Sequence, residues 1–134
     1  MNRILMAVAA LLILNGASVV TQANAQGNAP FAGGGQADAK DPAVDKLEAN
    51  AVKLEKQFKA KPKDVKLKLK VADAFYQTGH AMMFSDKLGP RVKYRGALKN
   101  YRTALSYDPG HKKAAEEKKT IEDIYKSMGR EVPK

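Results

Sequence analysis

The stretch "DVKLKLKVADAFYQTG", residues 64–79, decides the fold, because its first half fits a strand while its whole length fits a helix. From Val65 to Val71 apolar residues alternate with lysines, the period of two that is typical of a half-buried strand. Wound at the helical period, however, this segment and the residues after it place apolar side chains on two adjacent lines that together span roughly 220°. The first line holds Val65, Leu69, Ala72, Tyr76 and Met83, and the second holds Leu67, Val71, Ala74, Phe75 and Met82. The pattern therefore predicts a helix that is packed on two sides.

Three other segments repeat apolar residues at three- and four-residue steps and could pack against this helix. They run from Asp41-Pro42 to just before Pro62, from Val92 to Tyr107, and from about His111 to Met128. Each is bounded by capping residues, prolines or glycines, of which Gly129 closes the last. The sequence therefore predicts an all-α fold of about four antiparallel helices without a strand. The helical domain would cover residues 41–129, with a short C-terminal tail at residues 130–134.

The first 25 residues have the composition of a secretory signal peptide. Arg3 is followed by an apolar run from Ile4 to Leu14, and small residues end the segment at "ANA", residues 23–25. An uncleaved membrane anchor is the alternative, but this run is well short of the ~20 residues that span a bilayer. We therefore expect cleavage before Gln26, export to the periplasm or the cell exterior, and no stable membrane insertion. Residues 26–40, rich in glycine and alanine, are expected to form a flexible linker.

The composition limits the chemistry and suggests the charge of the partners. The chain has 134 residues, no cysteine and a net charge of +10, which becomes +9 without Arg3. Disulfides and thiol chemistry are therefore excluded. A basic surface favours anionic partners such as cell-wall polymers, lipid headgroups or acidic proteins, and export makes nucleic acid the least expected of them. The lysines occur singly along helical faces and not as one block, so an ordinary solvated surface is the plainer interpretation of this charge.

Two stretches resemble the two halves of a tetratricopeptide repeat: "VADAFYQTG" and "YRGALKNYRTALSYDPG". In that family small residues let two helices pack closely, an aromatic residue fills the remaining space, and a proline ends the unit. Ala97, Ala104, Tyr101 and Pro109 stand in those places. The resemblance covers roughly residues 43–128. It implies that the first helix is the second half of a degenerate preceding unit and that the last is a polar capping helix.

The chain departs from the tetratricopeptide pattern in two respects. Seventeen residues separate Gly79 from Ala97, where the family would place four. Either the second helix runs on to about Lys87 and breaks at Gly89-Pro90, or it stops at Gly79 and a loop follows; we expect the extension, because only Gly89-Pro90 opposes a helix. The chain also holds one complete unit, fewer than the three that usually form a stable array. A compact four-helix domain, or a homodimer, would resolve this.

The sequence offers no pattern that is typical of an enzyme. His80 and His111 lie in different elements without acidic neighbours at metal-ligand spacing, and no cysteine nucleophile or phosphate-binding loop is present. We therefore expect no catalytic residues, no metal and no cofactor.

The resemblance also implies a binding surface, because the first helix of each unit lines a groove in that family. The residues that map onto this surface are Lys66, Leu69, Lys70, Asp73, Tyr76 and Gln77. The helical winding independently places Lys66, Lys70, Asp73 and Gln77 on the exposed side of the helix. The hydroxyl of Tyr76 is expected to face the groove. Met82, Met83 and Phe84 are expected to be additional core, or an adaptable contact surface if they are exposed.

These observations lead to a main functional hypothesis and two alternatives. The main one is a non-enzymatic scaffold that holds a protein or peptide partner in a helical groove. The first alternative is a basic module that binds a polyanion, such as a cell-wall polymer or anionic lipid headgroups. The second is a structural subunit that only oligomerises.

Overall fold

The computed structural model describes residues 40–134, and within this range the chain is all-α, as predicted. The helices are α1 (Pro42–Ala60), α2 (Val65–Phe84), α3 (Pro90–Tyr107) and α4 (Lys112–Ser127). No strand occurs between residues 40 and 134, so the alternating lysines near the start of α2 belong to a helix. The predicted signal peptide and all of the predicted linker except Lys40 lie outside the described residues.

The ends of the helices follow from local side-chain chemistry. Asp41 accepts a hydrogen bond from the Ala43 N–H (3.0 Å) at the start of α1, and Asp64 accepts one from the Leu67 N–H (2.9 Å) at the start of α2. These bonds satisfy backbone donors that have no partner within the helix. After α4 the backbone turns at Gly129, whose φ of 64° is a conformation that glycine adopts without strain.

Each helix packs against its neighbour in sequence, as in a helical-repeat fold. α1 and α2 are antiparallel, because Asp41 before α1 contacts Ser85 after α2. α2 and α3 are also antiparallel, and α4 runs parallel to α2. The buried core lies mainly between α2 and α3 and includes Val71, Ala74, Phe75, Ala97, Leu98, Tyr101 and Ala104. The helix with two packed sides that the sequence predicts is therefore present.

The predicted extension of the second helix is confirmed, although α2 ends at Phe84, three residues before the expected Lys87. The connection that follows is held in place by Ser85, whose hydroxyl donates to Asp41 (2.7 Å) and accepts from the N–H groups of Lys87 and Leu88 (both 3.2 Å). Ser85, Asp41 and Leu88 are buried. The residues added to the tetratricopeptide pattern therefore lengthen α2, and Ser85 connects the end of α2 to the beginning of α1 through its hydrogen bond to Asp41.

Three apolar residues of α2 that the helical winding or the packing expectation assigns to the core are exposed. Val65 and Leu69, placed on the packed arc, are 67% and 49% exposed, and Leu69 is also one of the residues of the predicted binding surface. The parallel register of α2 and α4 explains this. Glu117 of α4 contacts Tyr76 and His80 of α2, which precede it in the chain by 41 and 37 positions. With the same offset, the positions opposite the first turns of α2 come before α4 begins at Lys112, so α4 does not cover these turns. Phe84 is 61% exposed, so the expectation that it belongs to the core is wrong, whereas Met82 and Met83 are half-buried against the core.

We predict that Gly79→Ala destabilises the fold because α3 leaves no room for a side chain at this residue. A Cβ atom there would lie 2.7 Å from Cε1 of Tyr101 and 3.1 Å from Cβ of Asn100. Overpacking of this kind costs about 1–3 kcal/mol, which outweighs the gain of about 1 kcal/mol from replacing a helical glycine with alanine. Urea denaturation of the purified protein measures the difference.

Gly96→Ala is the matched control for this prediction. Its Cβ would meet Sδ of Met82 at 2.6 Å, but that sulfur is near the end of a flexible side chain that can rotate away. We therefore expect its free energy of unfolding to be unchanged or raised by up to about 1 kcal/mol. Equal stability of the two variants would contradict the close approach at Gly79.

Candidate functional site on the second helix

The predicted partner-binding residues all lie on α2, but the structure divides them into an exposed group and an inward group. Lys66, Leu69 and Lys70 are exposed, and the lysines form no ion pair with another described residue. Asp73 and Gln77 are exposed one and two turns further along. We call the exposed surface of α2 the α2 face, and it consists of Lys66, Leu69, Lys70, Asp73, Gln77, His80 and Phe84.

The middle of the α2 face is polar and partly tied to the start of α4. The Gln77 side-chain amide donates to Asp73 Oδ2 (2.7 Å). The other oxygen of Asp73 lies 3.9 Å from Nε2 of His111, the N-cap residue of α4. The carboxylate of Asp73 therefore has one hydrogen-bond partner on α2 and lies near His111, and the face carries two lysine charges against this one carboxylate.

Tyr76 belongs to the inward group. Its hydroxyl donates to Oε1 of Glu117 (3.0 Å), and its ring lies 4.8 Å from that of His111 and 6.1 Å from that of Tyr101. Burial, together with the hydrogen bond to Glu117, raises the pKa of Tyr76 to about 12. The expectation that this hydroxyl faces an open groove is therefore wrong, because the residue bridges α2 and α4.

Glu117 is the centre of the contact between α2, α3 and α4. Its carboxylate accepts from the hydroxyls of Tyr76 (3.0 Å) and Tyr101 (2.5 Å), and Nδ1 of His80 lies 3.0 Å from both of its oxygens. Burial by itself would raise the pKa of Glu117, but the hydrogen bonds from Tyr101, His80 and Tyr76 outweigh it and hold the pKa below its ordinary value. The carboxylate is therefore ionised at neutral pH.

Sequence reasoning missed Glu117, although the spacing in α4 contained a signal. Glu117 lies three residues after Ala114 and four before Ile121, both of which are fully buried. Helical spacing therefore puts this carboxylate on the inward side of α4, where a charge needs hydrogen-bond donors. Two tyrosines and a histidine on α2 and α3 supply them.

Phe84, expected from the sequence to be core or, if exposed, a contact surface, is exposed at the end of the α2 face. Its ring lies 4.7 Å from the ring of His80, and the same histidine contacts Glu117. The last turn of α2 therefore presents an exposed aromatic side chain that rests on a residue fixed by the core. Aromatic side chains, phenylalanine included, are enriched in protein interfaces.

The described residues contain neither a metal-binding cluster nor a membrane-spanning helix. Among residues 40–134 no group of three or more histidine, cysteine, aspartate or glutamate side chains could hold a metal ion. None of the described helices has the length and apolar character needed to cross a membrane. No protein-family model, curated protein or solved structure matches the chain.

Proposed function

We propose that this chain is a non-enzymatic protein-protein interaction module of the tetratricopeptide type, which holds a segment of another protein against the α2 face. The observation that carries the proposal is the exposure of Leu69 and Phe84 on one side of a helix whose other sides are packed. At 1.5 Å per residue the two side chains are separated by roughly 22 Å along the helix axis. An extended segment of about seven residues spans that length.

The packing of the helices supports assignment to the tetratricopeptide type. Gly79 and the fully buried Ala97 and Ala104 provide the small residues at the crossing of α2 and α3. α4 runs parallel to α2, as the first helix of a following unit would. In such an array the exposed sides of the first helices form the binding surface, which is the role proposed for the α2 face.

The charges of the α2 face suggest the chemistry of the partner. Lys66 and Lys70 have no acidic partner among the described residues, whereas Asp73 is engaged by Gln77 and His111. We therefore infer an acidic segment whose apolar side chains contact Leu69 and Phe84. The proposed module acts outside the cytoplasm, and this part of the proposal rests on the signal-peptide composition of residues 1–25.

Removal of the two apolar side chains is expected to abolish capture of the partner without loss of the fold. The variant is Leu69→Ala with Phe84→Ala, and both positions are exposed, so the helical circular dichroism spectrum should be retained. The matched control is Val52→Ala, which removes an exposed apolar side chain from α1. Each protein is immobilised, incubated with native envelope extract, and the retained proteins are quantified by mass spectrometry. A protein retained by wild type and by Val52→Ala but not by the double variant is the expected result.

The salt dependence of binding then separates a protein segment from a polyanion. For a segment held by a few side chains, tripling the ionic strength should weaken binding less than about tenfold, because apolar contacts are not screened. Titration calorimetry with the identified partner measures this. Wild-type affinity of the double variant together with a steep loss at high salt would overturn the proposal and favour the polyanion alternative.

A further inference from the structure

A second surface, which shares no residue with the α2 face, lies between the beginning of α3, the end of α4 and the C-terminal tail. It is an open cleft of about 400 Å³ lined by Arg91, Arg95, Tyr125, Arg130, Glu131, Val132, Pro133 and Lys134. The functional hypotheses derived from the sequence assign no role to these residues. Three arginines in one cleft are an unusual concentration of charge for a chain whose lysines are spread singly along its helices.

The fold builds this cleft by turning the tail back onto α3. Gly129, with its φ of 64°, allows the Arg130 N–H to donate to the Tyr125 carbonyl (3.0 Å). Further along, Nη1 of Arg102 donates to the Pro133 carbonyl (2.6 Å), and Val132 packs against the core. The tail is therefore held at both ends, and Arg130 is brought to the same cleft as two arginines that precede it by more than thirty positions.

Two positive charges of the cleft have no acidic partner among the described residues. Arg91 and Arg95 are one turn apart on α3, and neither forms an ion pair with an acidic side chain of residues 40–134. Arg91 lies in the first turn of α3, where the helix dipole is positive, and that turn contains no acidic residue. Among the described lining residues, Glu131 alone has a negative side chain. Bringing like charges together at the positive end of a helix is unfavourable unless an anion balances them.

Tyr125 lines the same cleft as the three arginines. Burial raises the pKa of the Tyr125 hydroxyl, and the positive charges of Arg95, Arg130 and Arg91 oppose that effect. All three therefore act on the same side chain at the wall of the cleft. Guanidinium groups present planar pairs of N–H donors that match the oxygens of a phosphoryl group.

We propose that this cleft is a binding site for a phosphoryl anion, held by Arg91 and Arg95 on α3 and by Arg130 on the tail. The phosphoryl group could belong to a soluble phosphate compound or to a lipid headgroup, since both have the same oxygens. The site is independent of the α2 face, so either can exist without the other.

The site is tested by titrating the protein with inorganic phosphate while its amide chemical shifts are monitored in NMR spectra. We expect saturable shifts concentrated at the beginning of α3 and at residues 129–134. The variant Arg91→Gln with Arg95→Gln should bind phosphate about tenfold or more weakly, because two of the three guanidiniums are lost. The matched control is Lys53→Gln with Lys56→Gln, which removes the same net charge from exposed positions of α1 that form no ion pair within the described residues. Its affinity should stay within about twofold of wild type.

One further variant and one vesicle-binding measurement make the test more specific. Glu131→Gln should strengthen phosphate binding, because it removes the negative side chain of the cleft. Co-sedimentation with phosphatidic acid vesicles, compared with phosphatidylcholine vesicles, identifies a headgroup source if wild type binds and the arginine variant does not. Shifts spread evenly over the basic surface, or equal weakening in the arginine and lysine variants, would overturn the proposal. Absence of both phosphate and vesicle binding would overturn it as well.

Discussion

Tyr101→Ala is expected to lower the free energy of unfolding by about 3–5 kcal/mol, the range for removal of a large buried aromatic side chain. Tyr101 is fully buried, its ring lies against Gly79 of α2, and its hydroxyl donates to Glu117 on α4. One side chain therefore joins three helices. Urea denaturation followed by circular dichroism at neutral pH measures the loss.

Tyr101→Phe is the control that separates the ring from its hydroxyl. Glu117 retains its contacts with Tyr76 and His80 in this variant, so we expect a loss of about 1.5–3 kcal/mol, the range for one hydrogen bond to a charged group. A Tyr101→Ala variant no less stable than Tyr101→Phe would show that the ring contributes little, and would contradict the packing described for α2 and α3.

Glu117→Gln is expected to destabilise the protein by about 1.5–3 kcal/mol at pH 7, because charged acceptors form the stronger hydrogen bonds. The effect should depend on pH with a definite sign. The pKa of Glu117 is lowered in the folded protein, so the carboxylate contributes its full stabilisation above the ordinary value of 4.5. That stabilisation is lost as the pH falls through the lower folded pKa. The difference between wild type and variant should therefore shrink below about pH 4.5.

Comparison with a variant is needed because other carboxylates also lose stabilisation in acid. Hydrogen bonds lower the pKa of Asp41, through Ser85, and of Glu55, through Tyr107. Glu116→Gln, at the exposed neighbouring position, removes the same charge without those contacts and should change stability by less than about 0.5 kcal/mol. A difference between wild type and Glu117→Gln that stays constant from neutral to acid pH would contradict the proposed role of the carboxylate.

The helices could be predicted from the sequence because their signals are local. Asp41-Pro42 and Asp64 begin α1 and α2, and Gly89-Pro90 separates α2 from α3, as the structure shows. The alternation of lysines near Val65 was misleading only over a short span, since the rest of α2 repeats with the helical period. Local spacing is therefore sufficient to distinguish the helix from a strand.

The candidate site was less predictable because it depends on register between distant segments. Leu69 is exposed because α4 begins too late to cover it, and Tyr76 turns inward because Glu117 lies opposite it. Winding a single helix shows which sides are apolar, but not which neighbour covers each turn. The arginine cleft has the same origin, since nothing local indicates that the turn at Gly129 carries Arg130 to α3.

Site-specific photo-cross-linking tests the central claim, that the α2 face contacts a protein partner, most directly. Benzoylphenylalanine is introduced singly at positions 69 and 84, and at position 52 as a control on α1, and each protein is irradiated in its native extract. We predict the same discrete protein adduct from positions 69 and 84 and none from position 52. No adduct from the α2 positions, or an equal yield of the same adduct from position 52, would contradict the claim.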